Sequence, residues 1–254
     1  MMPRGSIHTV SAKRYEQGCE RMEATDKRRA LALVAKQVMG CNDCGLCKGR
    51  TNAVPGEGSP DASIMFIGEG PGFYEDQQGR PFVGASGKFL DQLLASIGLD
   101  RRTAFITNIV KCRPPQNRDP EPDEIAACSK YLDAQIAAIE PKVLVTLGRH
   151  SMQRYFPGES IGRLHGQPRR HGSLVVVPMY HPAAALHQGS LRKVIEADFV
   201  RLPDFLTRTI GIDPAAVPAH MRAGSGATAT QSEAAASVTP AAESGPESQQ
   251  MRLL

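Results

Sequence analysis

Any fold of this chain has to account for Cys41, Cys44, Cys112 and Cys128, which come from a loop, the end of a strand and a helix. Thiolates that share one metal centre lie within a few ångströms of each other, so this set would fasten a segment near the N-terminus to the middle of the chain. Cys41-x2-Cys44 is a loop short enough to present both sulfurs to one metal. Four thiolates of this origin suit zinc or a [4Fe–4S] cluster, and spacing alone leaves both open, although the second pair is too widely spaced for a zinc ribbon. Cys47 extends the first pair to a ferredoxin-like run that lacks the trailing Cys-Pro, so it is read as a spare thiol. Cys19 is given no role.

Around the cysteines, buried strands alternate with helices. Residues 24–38 space Leu31, Leu33, Val34 and Val38 as one helical face. Ser63–Ile67 reads as a buried strand ending at Gly68, and Ser86–Ile97 as a helix. Ala104–Val110 is a second strand. A helix from Asp119 to Ile139 follows, with Pro120 and Pro122 at its start and Pro141 stopping it. Val143–Leu147 is a third strand, followed by a helix from Gly148 to about Phe156. Leu174–Pro178 and Leu191–Thr209 are the last strand and helix. The pattern predicts an α/β fold with a mostly parallel sheet covered on both faces. Ligands of such sheets sit at the carboxyl ends of the strands. Gly68–Gly72, Thr107-Asn108, Gly148-Arg149 and Tyr180-His181 all fall there.

With 254 residues, 41% hydrophobic, the chain can bury one good core and still have length to spare. Residues 1–23 read as a polar, loosely ordered extension, 24–210 as the folded domain, and 211–254 as a disordered tail of Ala, Ser, Thr, Gly, Pro, Gln and Glu. No apolar run approaches the roughly 18 residues of a membrane span. The N-terminus is no secretory signal. A cytoplasmic protein is expected, whose cysteines are metal ligands or free thiols rather than disulfides. The net charge of +4 is compatible with a polyanionic partner without identifying one. Only 5% of residues are aromatic and none is Trp, which argues against an extended stacking platform for single strands. A few rings are placed instead, among them Phe73, Tyr74, Phe82 and Tyr180.

GEGPGFYEDQQGRPFVGASGKFLDQLL, ITNIVKCRPPQNRDPEPDEIAAC and PMYHPAAAL, in that order, closely resemble the family 4 uracil-DNA glycosylases, the iron–sulfur branch of that superfamily. The resemblance runs from about Cys41 to about Leu206. It implies a three-layer α/β/α sandwich around a mostly parallel four-stranded sheet. It also implies a [4Fe–4S] cluster on Cys41, Cys44, Cys112 and Cys128, and a monofunctional glycosylase that flips uracil out of DNA and hydrolyses its N-glycosidic bond in base excision repair. The alternative is a non-hydrolytic uracil-DNA-binding or iron–sulfur DNA-binding protein. The inserted basic loop of a covalently binding relative is missing after Cys112, and a mere binder has no need of a base-sized pocket.

The residues suit that chemistry. The Asn108 amide can donate to uracil O4 while accepting from N3–H, a pattern that cytosine reverses. Phe82 offers the base a face to stack on, and Gly70-Pro71-Gly72 let backbone approach it, with the Gly70 and Gly72 N–H groups near O2. His181 is the donor for the charge that grows on O2 as the bond to the sugar breaks. The resemblance assigns Glu69 to the water and the oxocarbenium charge, and Glu75 to closing the C5 side against a thymine methyl. Gly70 stands where the best-known uracil glycosylases carry an aspartate. Arg113, Asn117 and Arg118 are read as phosphate contacts, Leu186 as a wedge entering the duplex, and Arg192 as a further backbone contact. A monomer is expected. Gln250–Leu254 resembles the peptide that docks on bacterial sliding clamps, which would tether the tail to that partner.

Overall fold

The computed structural model describes residues 24–210; the 1–23 extension, the 211–254 tail and the Gln250–Leu254 peptide lie outside the described residues. Helix α1 (Ala24–Met39) is followed by the cysteine loop with a 3₁₀ turn at Gly45–Lys48. Then come β1 (Glu57–Gly58), β2 (Ile64–Gly68), α2 (Phe73–Gln78), α3 (Ala85–Ser96) and β3 (Phe105–Asn108). A second 3₁₀ turn, Pro115–Asn117, precedes α4 (Pro122–Ile139), β4 (Val143–Leu147), α5 (Arg149–Gln153) and α6 (Ile161–Leu164). β5 (Arg169–His171), β6 (Leu174–Met179), α7 (Ala184–His187) and α8 (Gly189–Ile210) complete the domain. Among the described residues no helix is long and apolar enough to cross a membrane.

The sheet order is β1-β3-β2-β4-β6-β5. Its four inner strands are parallel and match the four expected from sequence. The short β1 and β5 add antiparallel edges that make it six-stranded. These edges have two and three residues and no buried alternating pattern, so only their partners define them.

Alternation along the strands splits the core in two. Phe66, Ile106, Val145 and Val177 meet Phe89, Leu90 and Leu94 of α3 and Phe199 and Leu202 of α8. On the other face, Met65, Ile67, Phe105 and Leu144 pack with Val34 and Val38 of α1 and Leu132 of α4. This is the expected three-layer α/β/α sandwich, and both layers hold Gly68, Asn108, Leu147 and Met179 together at one edge.

Candidate active site

A pocket of about 340 Å³ opens at that edge, lined by Glu69, Gly70, Pro71, Gly72, Glu75, Phe82, Asn108 and His181. Most of the residues singled out for base recognition therefore converge. Gly68 makes this possible: a Cβ there would lie 2.4 Å from Asn108 Oδ1 and 2.6 Å from Phe82 Cζ. Asn108 is 2% exposed, and its Oδ1 is buried without a hydrogen-bond partner among the described residues. A buried acceptor left unpaired is costly unless a ligand completes it. Below it, Lys111 Nζ donates to the Asn108 carbonyl at 2.8 Å, to Thr107 Oγ1 at 2.6 Å and to Gln135 Oε1 at 2.8 Å.

Phe82 has φ +51°, a strained conformation for an aromatic residue. Arg101 holds it there, donating to the carbonyls of Pro81 and Phe82 while paired with Glu57 and Asp91. The His181 ring stacks 5.4 Å from that of Phe82. His181 Nδ1 accepts the Ala183 N–H at 3.1 Å, so in the neutral ring the proton sits on Nε2. Burial lowers its pKa against the opposing pull of Glu69 and Glu75, which favours that neutral donor.

Glu69 faces His150, with Oε2 3.3 Å from His150 Nδ1 and Oε1 accepting the His150 N–H at 3.3 Å. Behind it, Asp119 Oδ2 lies 3.6 Å from His150 Nε2. The turn that brings His150 here needs Gly148, at φ +98°, where a Cβ would be 2.3 Å from Glu69 Oε1. Burial alone would raise the Glu69 pKa, but the His150 hydrogen bond and the nearby histidine charges bring it below the ordinary glutamate value. The Glu69 bond in turn raises His150. Sequence reading placed Gly148-Arg149 at a strand end and gave His150 no role. The signal available was a histidine two positions past that glycine.

Some assignments change. Glu75, expected at the C5 side of the base, accepts three backbone N–H groups, from Val83 at 2.9 Å, Gly84 at 3.0 Å and Gly72 at 3.1 Å. Its carboxylate ties the two pocket loops together, and the Gly72 N–H is thereby occupied. Arg118 is bound at both ends of its guanidinium by Glu124, at 2.9 and 2.7 Å, so it is engaged at the start of α4 rather than standing ready for phosphate. Arg192 bonds Glu196 and Gln92 and lies over Phe89, so it too is held by the protein. Arg113 bonds Asn117 at 2.8 Å on the pocket rim, and Leu186 projects from α7, half exposed.

Cys41, Cys44, Cys112 and Cys128 do meet, lining one small enclosed space, and Cys47 joins them. Arg50 donates to Cys112 Sγ at 3.1 Å, and the Lys111 N–H to Cys128 Sγ at 3.3 Å. Hydrogen bonds to sulfur of this kind surround thiolate-held centres. Burial pushes the Cys128 thiol up to about 11 and raises Cys112 and Cys44. The residues fit a cysteine-held centre.

A parallel sheet whose strand ends present a buried amide, a stacked Phe–His pair and a carboxylate defines a nucleobase-excising class of α/β protein. The model of the uracil DNA glycosylase superfamily matches residues 55–200. A type-4 uracil-DNA glycosylase of Sulfurisphaera tokodaii is 53% identical over 183 residues, covering 68% of this chain and 83% of that protein. One from Thermotoga maritima is 41% identical over 187 residues, 72% of this chain and 97% of its own length. A type-5 uracil-DNA glycosylase of Thermus thermophilus is 34% identical over 140 residues, 49% of this chain and 63% of that protein. The chain belongs to the uracil DNA glycosylase superfamily, in its type-4 branch.

Proposed function

We propose that this protein is a monofunctional uracil-DNA glycosylase that hydrolyses the bond between uracil N1 and the sugar C1′, leaving an abasic site for base excision repair. The buried, unpartnered Asn108 Oδ1 at the pocket floor carries the reading. Oδ1 accepts the uracil N3–H and Nδ2 donates to O4, while Phe82 stacks on the ring. As the bond breaks, its electron pair passes to uracil, and the His181 Nε2–H donates to O2, where the charge gathers. Glu69 offsets the positive charge on the sugar and takes a proton from the water whose oxygen bonds to C1′.

The convergence of Cys41, Cys44, Cys112 and Cys128 supports a [4Fe–4S] cluster held by these four. Its contribution is structural, fixing the loop that carries Arg113 and Asn117 where DNA backbone would pass. Leu186 stands where a wedge into the vacated stack would.

Base release from a uracil-containing oligonucleotide tests the reading, comparing wild type with Asn108→Ala. Free uracil and an alkali-labile site are expected from wild type, with at least ~100-fold less from the variant, because two hydrogen bonds are lost. A wild-type protein with its metal intact that releases no uracil would leave the purely binding alternative standing.

A further inference from the structure

We propose that Phe73 and Tyr74, with Arg113 beside them, form a two-ring shelf at the pocket mouth on which an unpaired nucleobase next to the extracted uracil stacks. This rests on the uracil-excision reading and assigns it a preference for single-stranded or locally melted DNA.

Helix α2 inverts the usual pattern of burial. Its acids Glu75 and Asp76 are buried, while Phe73 is 50% and Tyr74 60% exposed. Both acids have internal work. Glu75 holds the pocket loops, and Asp76 Oδ1 accepts the N–H groups of Thr51 at 2.8 Å and Asn52 at 3.3 Å. Consecutive helical positions do not share a face, and the inward face of this short helix is taken. The rings are left in water, where apolar surface is unfavourable. They are nevertheless ordered against one another, edge to face at 5.4 Å and 81°.

Position identifies the occupant. The pair follows directly on Gly70-Pro71-Gly72 in one pocket wall, and the Arg113 guanidinium lies 5.1 Å from the Phe73 ring centre. Arg113 in turn bonds Asn117, which also lines the pocket. The shelf therefore joins two lining segments just outside the pocket, one through Gly72 and one through Asn117. A nucleotide whose base enters the pocket leaves its neighbour at this edge, and ring faces and guanidinium planes are the surfaces on which splayed bases stack. The Arg113 charge beside the rings complements the phosphate linking the two nucleotides. Two rings hold one base, in keeping with the few aromatics in the chain.

The test uses oligonucleotides with the fluorescent base 2-aminopurine beside the uracil, on either side, single-stranded and in duplex. Wild type should quench the probe on one side upon binding. Phe73→Ala and Tyr74→Ala should lose that quenching and raise KM on single strands by about 5–50-fold, the range that base–aromatic stacking supports. Duplex substrate should be less affected. Phe73→Tyr should restore both readouts and Phe73→Leu neither. Inhibition by free uracil reports the pocket itself and should not move. Equal quenching in wild type and alanine variants, rescue by Leu equal to that by Tyr, or a weakened free-uracil inhibition would each overturn the shelf. Failure of wild type to release uracil would instead sink the glycosylase reading, while quenching would continue to judge the shelf by itself.

Discussion

Glu69 and Asn108 reach the same pocket in different states of completion. Asn108 leaves an acceptor open, whereas Glu69 is already paired with His150 and, through it, with Asp119. That pairing matters for the pH at which Glu69 can take a proton. Its depressed pKa keeps it ionised at neutral pH, and activity on the acid side should fall as pH drops through that value. The charged groups facing His150 are Glu69, Asp119 and Arg149. Replacing His150 by Leu keeps the backbone N–H bond but removes the imidazole beside Glu69, so the Glu69 pKa rises and the acid limb of the rate profile should move to higher pH. The loss in kcat should be largest at the acid end of the profile and shrink toward pH 8. A pH profile of single-turnover uracil release checks this, and an unmoved acid limb would remove His150 from the role of positioning Glu69.

At the scale of elements, the segment between α2 and α3 depends on a residue from the connection between α3 and β3. Arg101 donates to Glu57 of β1 at 2.8 Å, to Asp91 of α3 at 2.6 Å and to the carbonyl of Pro81 at 2.8 Å. It thereby fixes the edge strand, the helix and the strained Phe82 at once. Arg101→Met should cost about 1–3 kcal/mol in denaturant unfolding, because the Pro81 and Phe82 carbonyls lose their donor while Glu57 keeps only Arg80. Releasing Phe82 should also lower kcat/KM about tenfold. Arg101→Lys should recover little of either, since an ammonium cannot span this fork of acceptors. If Arg101→Lys behaved as wild type, charge alone would suffice and the clamp would be wrong.

These supports explain which parts of the molecule were legible in sequence. The four inner strands announced themselves as apolar runs, and strand-end placement brought Glu69, Asn108 and His181 together. Arg101 and His150 act through contacts far away in the chain, and Lys111 joins its near neighbours Thr107 and Asn108 to the distant Gln135, a role its own position does not announce. Helix α2 was passed over because it carries aromatics outward and acids inward, opposite to the periodicity that signals a helix. Arg118 misled for a related reason: in sequence a loop arginine looks free, and the Glu124 that binds it lies inside the next helix.

Across the whole molecule, the cysteine centre and the base pocket are joined at two points. Lys111, between Asn108 and Cys112, bonds the Asn108 carbonyl with its side chain and Cys128 with its backbone. From the other side, the cysteine loop continues into Thr51 and Asn52, which bond Asp76 of the helix beginning at the pocket wall. A cysteine-held centre would therefore brace both walls, and losing it should loosen both together. Cys112→Ser removes a buried sulfur bonded to Arg50 and is expected to abolish iron binding and visible absorbance, and to lower Tm on the order of 10 °C. Uracil release should fall with it. Cys47→Ser is the control: Cys47 sits in the Gly45–Lys48 turn with its N–H bonded to the Cys44 carbonyl, a bond that serine keeps. It should retain iron, Tm and activity if the other four cysteines hold the centre. Loss of iron in Cys47→Ser with retention in Cys44→Ser would reassign the ligand set. An iron-free Cys112→Ser protein with wild-type Tm and turnover would show that the pocket stands without its brace.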